Sequence, residues 1–293
     1  CARQLLGLPA EAKERPAVCV DYRRHKICGM GPPSSGAMTV GMALRLLEPF
    51  DLGNHALDRH GVHLLVEAEK LAYADRDRYL ADPDFVPVPT GLLDASYLAE
   101  RRKLIGVQYA SGRATAGVPP ASRADAGEDA TQEMAGTSHL SVIDSAGNAV
   151  ALTTTIETGF GSRLFAAGFL LNNQLTDFSF QPRDGQGRDI ANRVEAGKRP
   201  RSSMAPTIVL DQEGRLGAVV GSPGGGRIIH YVLKTIVGLI DWRLDAQEAA
   251  DLPNFGSTNG PNAEVEGNWK GSWIGFMLRW QGHKVAAVPM TSG

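Results

Sequence analysis

Two neighbouring stretches constrain this chain more than any others. Over residues 111–136 small and polar residues dominate, Pro119-Pro120 interrupts them, and no hydrophobic period survives. Such a stretch reads as a mobile linker. Directly after it, residues 139–144 and 148–156 read as two strands joined by Ser145-Ala146-Gly147, a hairpin turn. In the second strand Val150, Leu152, Thr154 and Ile156 share one face by the two-residue period, and Ala149, Ala151, Thr153 and Thr155 share the other. One face is greasy. The other is small and hydroxyl-bearing, which suits the wall of a site.

The flanking regions alternate helices with hairpins. Pro32-Pro33-Ser34-Ser35-Gly36 is a loop whose serines are good helix caps, and a helix over about 37–47 should follow. A second helix over about 62–80 carries Leu64, Ala68, Leu71 and Ala72 on its apolar stripe. Its charged residues, Glu67, Glu69, Lys70, Asp75, Arg76 and Asp77, read as a solvated face with i,i+4 pairs. Further on, residues 207–210 and 217–220 form a strand pair around Asp211-Gln212-Glu213-Gly214. Then come Gly221-Ser222-Pro223-Gly224-Gly225-Gly226 and an amphipathic helix with Ile228, Ile229, Val232, Leu233, Ile236, Val237 and Ile240 on its stripe. Strands that come in hairpins favour α+β layering over a doubly wound sheet. No internal repeat is visible.

Composition closes off several function classes. With 293 residues, 43% of them hydrophobic, the chain can bury one large core or two modest ones. A net charge of −2 gives no sign of a nucleic-acid or anionic-membrane partner. No apolar run is long enough to span a membrane as a helix. Cys1, Cys19 and Cys28 lack metal-ligand spacing and read as ordinary small residues, with a Cys19–Cys28 bridge as the alternative. His55, Asp58, His60 and His63 lie close together but straddle a loop and a helix start, so they read as caps or surface residues, not metal ligands. Trp242, Trp269, Trp273 and Trp280 read as core or interface residues. A start at Cys1 and a stop at Met290-Thr291-Ser292-Gly293 are the ends expected of a fragment or processed piece.

The chemistry gathers at the junction. Gly136-Thr137-Ser138-His139 places a threonine where a linker meets a strand. A threonine hydroxyl needs a base beside it, and a free α-amine with pKa ~8 on the same residue supplies one. Freeing that amine requires cutting the Gly136–Thr137 bond, and the Thr137 hydroxyl can itself attack the preceding carbonyl. Gly224-Gly225 supplies backbone N–H groups at a helix start, the geometry of an oxyanion hole worth ~3 kcal/mol per donor. The competing phosphate-loop reading fails because Gly221-Ser222-Pro223-Gly224-Gly225-Gly226-Arg227 lacks that motif's lysine and spacing. A plain tight turn is the bland alternative. His139 is either a general base or a packing residue.

These residues carry a family resemblance. Thr137-Ser138-His139-Leu140-Ser141-Val142-Ile143-Asp144 followed by Gly147-Asn148-Ala149-Val150 resembles the start of the γ-glutamyltransferase small subunit. Leu170-Leu171-Asn172-Asn173-Gln174, Asp177-Phe178-Ser179, Arg199-Pro200-Arg201-Ser202-Ser203-Met204 and Gly221-Ser222-Pro223-Gly224-Gly225 follow in the family's order. Upstream, Pro32-Pro33-Ser34-Ser35-Gly36 and Ala72-Tyr73-Ala74-Asp75-Arg76 resemble the end of its large subunit.

The resemblance implies a four-layer αββα N-terminal-nucleophile hydrolase sandwich, incomplete at both ends here. Residues 1–136 would be the C-terminal part of the large subunit, ending in the linker, and residues 137–293 a truncated small, catalytic subunit. The two subunits of one precursor would form a heterodimer after self-cleavage between Gly136 and Thr137. The activity implied is transfer of a γ-glutamyl group from glutathione-like amides to water or an amine, with no metal or other cofactor. By position, Thr137 is the nucleophile and Thr155 steadies it. Gly224 and Gly225 cradle the oxyanion, Gln174 and Asp177 hold the substrate's α-amine, and Ser202 and Ser203 hold its α-carboxylate. Glu157 stands where many members have asparagine and adds negative charge at the amine pocket. The family's carboxylate-binding arginine falls upstream of Cys1, and no tyrosine lies between Asp177 and Ser202 to form an aromatic lid. Members of the family are commonly exported, so a periplasmic or secreted location is implied. The alternatives are an acylase acting on glutaryl or β-lactam side-chain amides, and an inert piece acting only as a folded module.

Overall fold

A computed structural model describes residues 12–122, 125–131, 133–134 and 136–290; Cys1 lies outside them. Strands β1 (Ala17–Tyr22) and β2 (His25–Met30) form a hairpin, followed by helices α1 (Gly36–Leu47), α2 (Arg59–Tyr79) and α3 (Ala95–Arg102). The described residues of 111–136 form no helix and no strand longer than a single bridge. Then come β3 (Thr137–Ile143), β4 (Ala149–Thr155), the short pair β5 (Phe165–Ala166) and β6 (Phe169–Leu170), β7 (Thr207–Leu210) and β8 (Leu216–Val220). The chain continues with α4 (Ile228–Ile240), α5 (Ala246–Asp251), β9 (Phe255–Gly256), β10 (Ala263–Glu266), α6 (Trp269–Trp280) and β11 (Val285–Val288).

The α+β expectation holds. One antiparallel sheet runs in the order β1-β2-β7-β8, β3 and β4 form a separate two-stranded sheet, and β11-β10-β9 form a third. Helices α1, α2 and α4 pack together beside the first sheet around Leu44, Leu47, Leu64, Leu65, Ile229, Leu233 and Ile236, all closed to solvent. Each such side chain contributes about 2 kcal/mol by leaving water. No helix of the described residues is long and apolar enough to cross a membrane.

Three expectations need correction. Cys19 and Cys28 sit directly opposite one another in the β1–β2 register and form a disulfide, where the reading as ordinary small residues favoured two free thiols. Ser35 stands at the N-cap of α1, but neither serine caps with its side chain; the Ser34 and Ser35 hydroxyls reach across to the Met204 and Ser202 carbonyls. The tryptophans, read as core or interface residues, divide: Trp242 is in the core, donating to the Leu52 carbonyl at 3.0 Å, and Trp269, Trp273 and Trp280 are exposed.

The largest correction concerns α2, whose supposed solvated face is buried. Glu67, Glu69, Lys70, Asp75 and Arg76 are at most 5% exposed. Burying a charge without partners is prohibitive, so each must be met by a specific group. Glu67 takes Lys70 and the Ser111 hydroxyl, and Glu69 accepts the Ser257 N–H at 2.8 Å. Asp75 accepts from the Tyr97 hydroxyl at 2.7 Å and the Gly117 N–H at 2.8 Å. Ser111, Gly117 and Asp129 from the stretch read as a linker are thereby held against α2, with Asp129 N–H bonded to the Asp77 carbonyl at 3.1 Å.

Candidate active site

The hairpin register sets Thr137 opposite Thr155. The Thr155 hydroxyl donates to the Gly136 carbonyl oxygen at 2.8 Å and accepts the Glu157 N–H at 2.8 Å. The carbonyl that would be attacked therefore already carries a donor. Gly136 is a steric requirement: a Cβ there would meet the Glu157 carbonyl oxygen at 1.6 Å. Glu157 itself has φ of +78°, a left-handed backbone uncommon for a residue with a side chain. Such conformations cost roughly 1–3 kcal/mol and persist where surroundings impose them.

Next to this junction the carboxyls of Glu157 and Asp177 pair with each other, each side chain belonging to a residue only 4% exposed. Gln174 donates to Asp177 from the first turn after β6. One oxygen of each carboxyl, Glu157 Oε1 and Asp177 Oδ1, is buried without a hydrogen-bond partner. Burial first, then the charges of Glu133 and Glu157, push Asp177 up to about 8. Burial and Glu133 raise Glu157 as well. At neutral pH the pair holds a proton and has room for a donor.

The paired serines lie at the other end. Ser202 is fixed by its backbone: its N–H bonds the Pro33 carbonyl at 3.0 Å and its carbonyl takes the Ser35 N–H at 2.6 Å. Its hydroxyl accepts the Met204 N–H at 3.2 Å. This close approach needs Gly36, where a Cβ would meet Ala205 Cβ and the Met204 carbonyl at 2.5 Å. Ser203 instead turns its hydroxyl toward Arg76 and Glu133. Arg76 donates to Ser35 Oγ at 2.8 Å, to Asp77 Oδ1 at 2.7 Å and to Glu133. Arg201 Nη2 meets Asp129 Oδ2 at 3.1 Å. Although burial opposes the charged form, Arg76 and Arg201 hold the Glu133 carboxyl below its ordinary value. Sequence reasoning gave no site role to Arg76, Arg201, Asp129 or Glu133. The available signal was on α2, whose charged residues fall on every side of a helical wheel and so cannot share one solvated face.

The glycine loop reaches the site from β8. Gly224 and Gly225 have φ of +138° and +57°, and their N–H groups make no hydrogen bond among the described residues. A Cβ at Gly224 would strike the Tyr231 ring at 2.5 Å. No hydrogen bond joins Thr137 to either glycine among the described residues. His139 locks β3 to that loop. Its ring lies against Gly221, where a Cβ would come within 2.0 Å, and its nitrogens pair with Thr153 Oγ1 at 2.8 Å and Ser141 Oγ at 3.0 Å. Both nitrogens are engaged on the hairpin, which suits a positioning role.

Of the histidine–aspartate group near residue 60, Asp58 caps α2 by accepting the His60 and Gly61 N–H groups, while His63 turns inward. His63, Glu67 and His283 form the one set of three metal-capable side chains among the described residues. Hydrogen bonds already occupy the set: His63 with His283 at 2.8 Å and with the Gly106 carbonyl, and Glu67 with Lys70 and Ser111.

The family model for gamma-glutamyltranspeptidase matches residues 10–293. The glutathione hydrolase proenzyme of Escherichia coli (strain K12) is 41% identical over 253 residues, covering 84% of this chain and 42% of that protein. The acylase ACY 1 proenzyme of Pseudomonas sp. (strain SE83) is 37% identical over 276 residues, covering 93% of this chain and 46% of that protein. Among solved structures, cephalosporin acylase from Bacillus halodurans matches with a TM-score of 0.77 at 26% identity, over 93% of this chain and 46% of that one. The chain thus spans less than half the length of the curated relatives it matches. Since the family model covers nearly the whole chain, across the threonine junction, the double serine and the glycine loop alike, the chain belongs to the gamma-glutamyltranspeptidase family of N-terminal-nucleophile hydrolases.

Proposed function

We propose that this chain carries the catalytic junction of a self-cleaving γ-glutamyl hydrolase/transferase, with Thr137 as nucleophile. The observation that carries the substrate assignment is the buried Glu157–Asp177 pair, with one unpartnered oxygen on each carboxyl. Two carboxyls short of donors, across from a serine–arginine cluster, suit a head group that bears both an ammonium and a carboxylate. A γ-glutamyl group has that polarity, and glutathione-like amides present it.

Self-cleavage follows from the junction. The Thr137 hydroxyl adds to the Gly136 carbonyl carbon while the Thr155 hydroxyl bonds the oxygen that takes the charge. The C–N bond breaks to leave an ester on Thr137, and water hydrolyses it, freeing the Gly136 carboxylate and the Thr137 α-amine. That amine then serves as the base for the same hydroxyl. In turnover, Thr137 Oγ attacks the γ-carbonyl of the donor, the amide nitrogen leaves with a proton, and water or an amine resolves the γ-glutamyl ester. Gly224 and Gly225 N–H groups are the oxyanion donors in this reading. Ser203 takes the α-carboxylate, with Ser202 setting its backbone, and Glu157, Asp177 and Gln174 take the α-amine.

The full protein would complete the four-layer αββα sandwich. The outer face of the β3–β4 hairpin supports this, since Leu140, Val142, Val150 and Leu152 are all at least 47% exposed. A greasy sheet face of that size needs a covering layer. Large and small subunits of the precursor would supply it as a heterodimer. The Cys19–Cys28 disulfide fits an exported, oxidising location.

Two assays on the full-length protein test this reading. Intact mass and N-terminal sequencing should show a smaller piece beginning Thr137-Ser138-His139, absent from a Thr137→Ala variant; an uncut wild-type chain would remove the nucleophile. The kinship to acylases makes the second assay necessary. Faster cleavage of a glutaryl anilide than of a γ-glutamyl anilide would replace the γ-glutamyl assignment with an acylase one.

A further inference from the structure

The glycine loop needs support from outside itself. Gly224-Gly225-Gly226 sets three of the least restrained residues in a row, and donors to a developing charge act only if they are held in place beforehand. Within the loop, the Arg227 N–H returns to the Gly224 carbonyl at 3.1 Å. A second tie comes from far away in the chain. The Tyr73 hydroxyl donates to the Gly226 carbonyl at 2.5 Å, across 153 residues. The next residue, Arg227, is gripped by Glu264 of β10, through Nε at 2.6 Å and Nη2 at 3.0 Å. The loop is thus fastened at a backbone carbonyl to α2 and at a guanidinium to β10.

Tyr73 is itself held firmly. It is 1% exposed, its ring packs against that of His230 with centroids 5.1 Å apart, and the Arg76 guanidinium lies 5.4 Å from its ring centre. His230 is closed to solvent in turn, with Nδ1 3.2 Å from Glu69 Oε1. Glu69, Tyr73 and Arg76 follow one another at i, i+4 and i+7, so one stripe of α2 supplies the bed on which the loop rests. Burial, before any other influence, raises Tyr73 well above the ordinary range of a phenol, and its hydroxyl stays a donor. We propose that Tyr73 is a positioning residue for the oxyanion donors of turnover, delivered by α2 from the far side of the Gly136–Thr137 junction. This rests on the reading of Gly224 and Gly225 as those donors. In that same reading self-cleavage draws on a different donor, the Thr155 hydroxyl on the Gly136 carbonyl oxygen. The two reactions of Thr137 are therefore supported separately, and the Tyr73 hydroxyl bears on only one of them.

The test is Tyr73→Phe in the full-length protein, which keeps the ring against His230 and deletes only the hydroxyl. Self-cleavage, followed by intact mass over time, should keep its wild-type rate within about twofold. In the mature enzyme kcat and kcat/KM for a γ-glutamyl anilide should fall together by at least about tenfold, with KM within about twofold, because formation and breakdown of the ester both pass through an oxyanion. An unchanged kcat overturns the assignment. So does a loss carried by KM alone, or a slowing of self-cleavage equal to that of turnover, which is what a merely structural tyrosine would give. Running a glutaryl anilide beside the γ-glutamyl one separates this inference from the substrate reading. If only the glutaryl donor is turned over and Tyr73→Phe lowers its kcat while sparing self-cleavage, the γ-glutamyl assignment falls and Tyr73 keeps its role.

Discussion

At one end of the site Arg76 has every nitrogen bonded and Ser203 shares in that network; at the other, Glu157 and Asp177 face each other with an oxygen apiece left without a donor. Both ends are equally buried, so solvent does not account for the difference. The chain's own Glu133 completes the first end, whereas the second receives the Met134 backbone N–H at Glu157 and the Gln174 side chain at Asp177 and still has an oxygen on each carboxyl without a donor. On the reading proposed above, a buried cation cluster closed from within and a buried carboxyl pair left open would be the two ends of a dipolar binding site. They also put opposite strains on the protein. The closed end is held together by charge pairing, and the open end is held against mutual repulsion of three carboxyls, Glu133, Glu157 and Asp177.

The largest expected effect lies between the two ends. Gly136→Ala must push the Glu157 carbonyl aside, and a displacement near 1 Å slows a positioned reaction by about a hundredfold or more. Intact mass over time should show the precursor persisting while its circular dichroism matches wild type. Normal cleavage in this variant would mean that the junction relaxes away from the arrangement described here. Second in size, Asp177→Asn in the mature enzyme takes from the open end a carboxyl that can give up its proton to receive an ammonium. A loss of about a hundredfold in kcat/KM on a γ-glutamyl anilide is expected, with little change on a donor that lacks the α-amine. An equal loss on both donors would break the division of labour between the two ends.

The elements around Thr137 were legible because their signals are local. The hairpin at 137–155, the turn before Arg215 and the stripe of α4 each declare themselves within about ten residues, and the structure forms all three. Ser203, Asp177 and Gln174 were legible only through resemblance, and the structure does bring Gln174 to Asp177 and Ser203 to Arg76. Arg76, Arg201 and Glu133 escaped because their partners are remote in sequence: Arg76 meets Ser203 across 127 residues and Arg201 meets Asp129 across 72. A charged residue on a helix looks solvated until the chain that covers it is known. The Cys19–Cys28 disulfide escaped for a related reason, since only the strand register sets those two residues opposite each other.

The comparison can be sharpened through pH, because the open carboxyl pair and a buried histidine pair should respond in opposite directions. Asp177 is raised from 3.8 to about 8 by burial and by its acidic neighbours. The folded chain thus keeps a proton that the unfolded chain has lost, and stability falls as pH rises from about 4 to about 8. In uncleaved Thr137→Ala protein, Asp177→Asn should therefore stabilise at pH 8 by on the order of 2 kcal/mol and do little at pH 4, read as urea midpoints. A residue that binds substrate would then be one whose removal makes the protein more stable.

The smallest effect belongs to the cluster at the opposite half of α2, where His63, Glu67, Lys70 and His283 satisfy one another far along the helix from Arg76. Burial first, then the nearby Lys70 and His63, hold His283 down to about 4. Here the unfolded chain takes up a proton that the folded chain refuses. The sign reverses, and stability falls as pH drops from 6.5 to about 4. His283→Gln keeps a side chain able to donate to His63 while removing the titration. It should flatten that acid limb by on the order of 1 kcal/mol and leave the alkaline limb and donor KM as they were. If His283→Gln moved the alkaline limb instead, the two clusters on α2 would be coupled through the helix, and the closed and open ends of the site could not be treated as separate from the rest of its buried charge.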